Sequence, residues 1–251
     1  MADLSTSVGG IPLASCIYNA SGPRTGSKEA LAIIASSESG AVVSKSATLE
    51  ERTGNAMPRF LKDIDLGAES SMGSYNSEGL PNYGIEYYLA PDCVAAARGM
   101  DTLPASSSSN SSSGHSNGNG YPNGMNENSS THEQKQEQGK PYFISISGLS
   151  LQDNLDMLTK AMNTDGVSAI ELNLACPNVP SKPVIAYDFE QMEEVLRCVA
   201  AHENFGQKPV GVKLAPYFDM PHFEQACAII AKFPIAFVTT INSIGNALFV
   251  D

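Results

Sequence analysis

The chain has 251 residues, of which 42% are hydrophobic, and its formal net charge at pH 7 is -12. This length and composition suit one α/β barrel, or two smaller domains, with a substantial buried core. The excess of Asp and Glu argues against a nucleic-acid partner, because phosphate neutralisation requires clustered Lys and Arg.

The sequence also argues against membrane, disulfide and metal-binding classes. No apolar run is long enough to span a bilayer, and residues 1–7 lack the basic start and apolar centre of a signal peptide, so we expect a cytoplasmic protein with no membrane partner. The five cysteines have neither CxxC nor Cys/His metal spacing, which predicts no disulfide framework and no metal site. Most of these thiols are expected to be small buried hydrophobic groups.

The first elements are predicted to be a strand, a helix and a second strand. Residues 11–22 have the pattern of a short strand that runs into a glycine-containing turn. Ser27 is placed to cap a helix over 28–36, and Gly40 ends it before the apolar strand 41–44.

A long polar excursion follows. Residues 48–82 are rich in Gly, Ser, Asn and Pro without a sustained period, which is typical of a functional loop. One helix is predicted over 85–98, with Tyr87, Tyr88 and Val94 facing inward.

Residues 104–139 form a low-complexity insert of serine runs followed by Asn, Gly, Glu and Gln. This composition buries too little apolar surface to offset chain entropy, so we predict disorder. Because the insert follows a helix and precedes a strand, a β/α barrel would place it opposite the active site, as a surface extension.

The rest of the chain alternates between strands and helices. The predicted strands cover 142–147, 168–172, 209–213 and 236–241, and the predicted helices cover 151–162, 189–201 and 221–232. With the two earlier strands this alternation implies a parallel sheet with right-handed crossovers. The expected fold is an α/β single domain over 1–251, a (β/α)8 TIM barrel with about six of its eight strand and helix units.

Polar side chains follow five of the six predicted strands. They lie at 19–22, at Lys45 and Ser46, at 173–178, at Lys213, and at Asn242 and Ser243. Barrel active sites are assembled from the carboxyl ends of the strands, so we expect these groups to converge.

Cys176 is the ionisable group of the central stretch best suited to accept a proton. A free thiol, with a pKa of roughly 8.5, is mostly protonated at neutral pH, so this role needs either Lys45 or Lys213 nearby or mildly alkaline conditions. Taken alone, a cysteine in this context is more often structural, because thiols are frequently buried. The flanking Asn173 and Asn178 favour the functional interpretation.

Four asparagines are candidates to bind a planar ring: Asn76, Asn173, Asn178 and Asn242. A carboxamide offers one acceptor and two donor hydrogens, which match the C=O and N–H edge of a pyrimidine or imide. The backbone N–H groups around Gly79 and Leu80 can receive a carboxylate.

Several segments resemble the dihydroorotate dehydrogenases, most specifically the soluble class 1 subclass A enzymes, which use fumarate. The segments are 19–22 (NASG), 44–48, 54–55 with 58–59, 76–82, 145–150, 171–180 (ELNLACPNVP), 186–189, 211–219 and 241–246. They span nearly the whole chain outside the insert. A cysteine where other classes have a catalytic serine makes the resemblance specific to class 1.

The resemblance implies a flavin enzyme of pyrimidine (UMP) biosynthesis. An FMN-dependent barrel would oxidise dihydroorotate to orotate, fumarate would reoxidise the flavin and leave as succinate, and the usual state would be a cytoplasmic homodimer. Cys176 would be the base that removes the C5 proton while hydride passes from C6 to the flavin.

The resemblance also assigns two binding sets. Orotate would be held by Lys45, Asn76, Gly79, Leu80, Asn173, Asn178, Asn242 and Ser243. FMN would contact Ala20, Ser21, Gly22, Lys45, Ser46, Asn76 and Lys213.

Two features depart from the family pattern. Glu78 stands where methionine is usual, and because its carboxylate would repel that of orotate, we expect it to face solvent. The family's last two strands, with the loops that hold the FMN phosphate, would lie beyond Asp251. The residues therefore leave two alternatives open: another FMN pyrimidine dehydrogenase, or a non-catalytic homologue that holds no FMN.

Overall fold

The computed structural model describes residues 2–65, 72–100, 139–176 and 183–245. The predicted insert at 104–139 lies outside these ranges except for Gly139, so its disorder stays a prediction.

The described chain contains short strands, a two-turn to three-turn helix after most of them, and two hairpins. The strands are β1 (Thr6–Val8), β2 (Ile11–Leu13), β3 (Val42–Val43), β4 (Phe60–Asp65), β5 (Met72–Asn76), β6 (Tyr142–Ile146), β7 (Val167–Asn173), β8 (Val210–Lys213) and β9 (Phe237–Thr239). The helices are α1 (Lys28–Ala35), α2 (Ile85–Leu89), α3 (Pro91–Ala97), α4 (Leu151–Met162), α5 (Phe189–Ala200) and α6 (Met220–Ile230).

A five-stranded parallel sheet in the order β3, β6, β7, β8, β9 organises the described structure. Helices join consecutive strands of this sheet, as α4 joins β6 to β7. Each connection returns the chain to the end of the sheet at which the strands begin, so the strands run parallel. This arrangement is part of a (β/α)8 barrel, which confirms the predicted fold class.

The two faces of the sheet have different neighbours because side chains alternate along each strand. Ile144, Ile170 and Leu172 belong to the large core that includes the helices. Phe143 and Ala169 belong to a smaller cluster on the other face, with Leu13 of β2. Polar side chains that share the second face therefore point away from the helical layer.

The structure corrects the first predicted strand. Ile11–Leu13 does not join the parallel sheet but pairs antiparallel with Thr6–Val8. The chain then reaches β3 without forming a strand, and the Asn19 side chain makes the connection: Nδ2 donates to the Val43 carbonyl at 2.7 Å, and Oδ1 accepts from the Val43 N–H at 2.9 Å.

The structure also corrects the polar excursion. Strands β4 and β5 form an antiparallel hairpin within residues predicted to be irregular. Their side chains show no simple apolar alternation, so the pattern alone did not indicate strands.

The single helix predicted over 85–98 is two helices. Ala90 has φ -58° and ψ 138°, outside the helical region, and Pro91 begins α3. A proline disfavours helical geometry in the residue before it and removes a backbone donor, so the helix breaks there. Tyr88 and Val94 are buried as predicted, whereas Tyr87 is half-buried.

The expectation that most thiols are buried is wrong. Of the five cysteines, Cys93 alone is buried, Cys176 and Cys198 are half-buried, and Cys16 and Cys227 are exposed. None of the helices in the described ranges combines the length and apolar character required to cross a bilayer.

Candidate functional site

A cleft lies where the parallel strands end. Its lining brings together most of the predicted site residues: Ser21, Gly22, Lys45, Ser46, Asn76, Leu80, Asn173, Cys176, Lys213, Asn242 and Ser243, with Pro23 and Glu78. The expected convergence of polar strand ends is therefore observed.

Strand register explains why groups distant in sequence meet here. Asn173, the last residue of β7, is the register partner of Lys213, the last residue of β8, and Lys213 is in turn the partner of Thr239 in β9. Parallel strands in register present the same side of the pleat at the same edge, so these side chains lie next to one another.

A chain of hydroxyl groups connects the cleft to a buried carboxylate. The Ser46 hydroxyl lies 2.7 Å from that of Ser21 and 2.9 Å from that of Ser145. Ser145 donates to Glu171 Oε1 at 2.9 Å, and Thr239 donates to Oε2 at 2.8 Å. Both oxygens of this 4%-exposed carboxylate are thus held.

Sequence reasoning missed Ser145, Glu171 and Thr239 as part of this arrangement. A signal was available, because Glu171 precedes Asn173 by two residues in an otherwise apolar strand and therefore shares its face. A charged residue on that face requires partners when it is buried.

The Asn173 carboxamide is largely committed to the protein. Its Oδ1 accepts from the Ala175 N–H at 3.1 Å and from Asn242 Nδ2 at 3.3 Å, and its Nδ2 donates to Ser46 at 3.0 Å. One Nδ2 hydrogen then remains for a ligand. Toward a ligand, Asn173 can therefore act as a hydrogen-bond donor in a fixed orientation, and not as an acceptor.

Two lysines provide positive charge in the cleft. Lys45 is 8% exposed and Lys213 is 5% exposed, and the Lys213 ammonium lies 3.4 Å from the Ser21 carbonyl oxygen. Burial lowers the pKa of Lys45, since removal from water disfavours the charged form; Glu78 and Cys176 oppose this shift, and Lys213 and Arg59 add to it.

The loop that supplies Asn76, Glu78 and Leu80 is fixed by neighbouring backbone. Gly79 has φ +72° and Leu80 has φ +59°, and a Cβ at Gly79 would lie 2.4 Å from Asn55 Oδ1, so glycine is required there. The Gly79 carbonyl accepts two hydrogen bonds from the Arg52 guanidinium.

The expectation that Glu78 faces solvent is not met. Glu78 is half-buried and lines the cleft. Its carbonyl accepts from the Asn55 N–H at 2.9 Å, which holds the residue in place.

Cys176 lines both this cleft and a second, smaller pocket, which Ser147, Leu149 and Ile185 help to line. A thiol in this position is accessible to a ligand from the cleft and has two cations nearby. Among the other predicted residues, Ala20 is exposed and Gly79 is buried, and neither is among the residues that line the cleft; Asn178 is outside the described residues.

Comparison of the amino-acid sequence with known proteins identifies the family of this chain. The family model for dihydroorotate dehydrogenase matches residues 3–251. A relative from Streptococcus agalactiae (serotype Ia, strain A909) is 39% identical over all 251 residues, which correspond to 66% of its own length.

Two proteins named dihydroorotate dehydrogenase A (fumarate) are also similar. Those from Lactococcus lactis subsp. cremoris (strain MG1363) and subsp. lactis (strain IL1403) are each 38% identical over 248 residues, or 99% of this chain and 65% of the relative. The chain therefore spans about two thirds of the length of these relatives.

Proposed function

Because the chain belongs to the dihydroorotate dehydrogenase family of oxidoreductases, we propose that it binds FMN and oxidises (S)-dihydroorotate to orotate. The observation that carries the proposal is a single cleft that holds the Cys176 thiol, two buried lysines and three asparagine carboxamides. We further propose fumarate as the acceptor, a role in pyrimidine biosynthesis, a cytoplasmic location and a homodimeric state.

The residues at one side of the cleft fit the ring of a flavin. Its pyrimidine edge alternates C=O and N–H groups. Because Ser46 donates to Ser145 and accepts from Ser21 and Asn173, the Ser21 oxygen is the hydroxyl acceptor that remains for a flavin N–H. Lys213 supplies the positive charge that stabilises the negative charge of a reduced flavin. When bound, FMN would take up the hydride that leaves C6 of dihydroorotate.

The substrate carries one carboxylate and an imide edge, which match the remaining groups. Lys45 would pair with the carboxylate, and the N–H groups left on Asn173 and Asn242 would donate to ring carbonyls. The same cations suit the two carboxylates of fumarate, which supports one site for both half-reactions.

Cys176 would remove the proton from C5. The C5–H electrons become the second bond between C5 and C6 as hydride departs from C6, and the proton resides on Sγ. The positive charges of Lys45 and Lys213 would stabilise the thiolate that this step consumes.

The first experiment asks whether the 251-residue chain holds flavin. We expect FMN added to the purified protein to show altered absorption and quenched fluorescence, and anaerobic dihydroorotate to bleach the bound flavin. Reoxidation by fumarate, compared with a quinone and NAD in parallel, identifies the acceptor. A chain that binds no FMN after reconstitution would refute the proposed catalytic activity.

The second experiment concerns the base. Cys176→Ala should slow anaerobic flavin reduction by dihydroorotate at neutral pH by at least about a hundredfold, because general-base catalysis contributes roughly that much. Orotate binding should remain. The matched control is Cys227→Ala, which removes an exposed thiol in α6. Equal reduction rates in the two variants would remove Cys176 from this role.

A further inference from the structure

Glu78 supplies the one carboxylate among the side chains described as lining the cleft. It lies two residues beyond Asn76, in a loop whose backbone is held by Arg52 and Asn55. The main chain at Glu78 is therefore fixed next to the site.

The Glu78 carboxylate affects both the Lys45 ammonium and any anion that approaches it. Glu78 lines the same cleft as Lys45 and acts on its ammonium as an anion, while Lys213 and Arg59 act on it as cations. An incoming carboxylate that pairs with Lys45 enters the field of Glu78 as a like charge. In a cleft partly shielded from water, like charges several ångströms apart repel by more than they do in bulk solvent.

We propose that Glu78 competes with anionic ligands for the positive charge of Lys45. It thereby weakens the binding of each ligand in proportion to the negative charge that the ligand carries. The penalty is absent for a neutral pyrimidine, moderate for orotate with one carboxylate, and largest for fumarate with two. Glu78 thereby sets the balance between the two half-reactions. The identity of the ligands rests on the proposed function.

The proposal predicts a graded response to removal of the charge. Glu78→Gln keeps the size and polarity of the side chain, and Glu78→Met replaces it with an apolar one of similar length. The matched control, Glu51→Gln, makes the same change in net charge at an exposed position in the preceding segment.

The measurement is the dissociation constant of orotate and of fumarate by titration calorimetry, with uracil measured by competition against orotate. In both Glu78 variants we expect orotate to bind about tenfold more tightly than in the original protein, fumarate to gain by a larger factor, and uracil to change by less than about twofold. Glu51→Gln should change none of the three by more than about twofold, because exposed charges are screened.

Three results would overturn the proposal. The first is unchanged orotate affinity in both variants; the second is weaker orotate binding, which would make Glu78 a required partner of Lys45. The third is an equal gain for uracil, which would indicate a change of shape rather than of charge.

These outcomes separate the proposal from the proposed function. Graded binding without flavin reduction would support the role of Glu78 and refute the catalytic activity. Absence of orotate binding in the original protein and in both variants would overturn both.

Discussion

At the scale of single residues, the site depends on cations held where water is scarce. Lys45 and Lys213 are each less than one tenth exposed, yet both line the cleft. Their positive charge is costly to bury, and burial accordingly lowers the pKa of Lys45. A bound anion would offset that cost, which is why these residues indicate a ligand rather than a structural ion pair.

This shift predicts a pH dependence of anion binding. With its pKa below the ordinary lysine value of 10.5, Lys45 loses its proton earlier than an exposed lysine as the pH rises, so orotate affinity should fall before that value is reached. Calorimetric titrations of orotate over a pH series would measure the fall.

The ionisable groups that act on Lys45 are Glu78, Cys176, Lys213 and Arg59, and among them the thiol belongs to the proposed proton transfer. The series is therefore run in the Cys176→Ala variant. Lys45→Met in the Cys176→Ala protein should bind orotate weakly, and its affinity should no longer fall over this pH range. A dissociation constant that stays level up to the range of an ordinary lysine would contradict the prediction.

At the scale of elements, capping side chains stabilise the first turns of the helices. These helices connect the strands whose ends carry the site residues. Ser150 begins α4: its Oγ accepts from the Asp153 N–H at 3.1 Å, and the Asp153 carboxylate accepts from the Leu149 N–H at 2.9 Å. Asp188 and Asp219 cap α5 and α6 in the same way.

Ser150→Ala should lower the free energy of unfolding by about 1 kcal/mol, because it leaves a backbone N–H at the helix start without its partner. Urea denaturation would measure the loss. Ser36→Ala at the exposed end of α1 is the matched control and should change stability by less than about 0.5 kcal/mol. Equal losses in the two variants would argue against the capping role.

At the scale of the whole molecule, one sheet separates two chemical environments. Ile144, Ile170 and Leu172 pack against the helices, whereas Glu171 and Asn173 of the same strand join the polar network. The apolar face supplies the burial that stabilises the fold, which allows the opposite face to hold charged and polar groups near a ligand.

The large core predicts a contrast between two identical substitutions. Ile170→Ala, at a residue that is 0% exposed, should cost about 2–5 kcal/mol through lost burial and a residual cavity. Ile33→Ala, at a residue of α1 that is 67% exposed, should change stability by less than about 0.5 kcal/mol. Both are measured by urea unfolding, and a small cost at Ile170 would mean that the surrounding core can collapse into the space.

Elements with a local signal were predictable from the sequence. Helix α4 has the predicted bounds, α1 and α5 end one residue earlier than predicted, and α6 begins one residue earlier and ends two residues earlier. These bounds were predictable because caps and apolar periodicity are encoded by consecutive residues. The β4 and β5 hairpin was missed because its strands pair with each other without an alternating apolar pattern. The break at Pro91 also has a local signal, because a proline disfavours helical geometry in the residue before it.

The sequence by itself determined the α/β alternation, the family, and the polar residues that end the parallel strands, because each depends on residue type and spacing along the chain. Only the tertiary structure decided which partners these side chains meet. It placed Glu171 under the serine hydroxyls, committed most of the Asn173 carboxamide to protein partners, and turned Glu78 into the cleft. These outcomes depend on strand register and on backbone contacts between segments far apart in sequence, which no local pattern encodes.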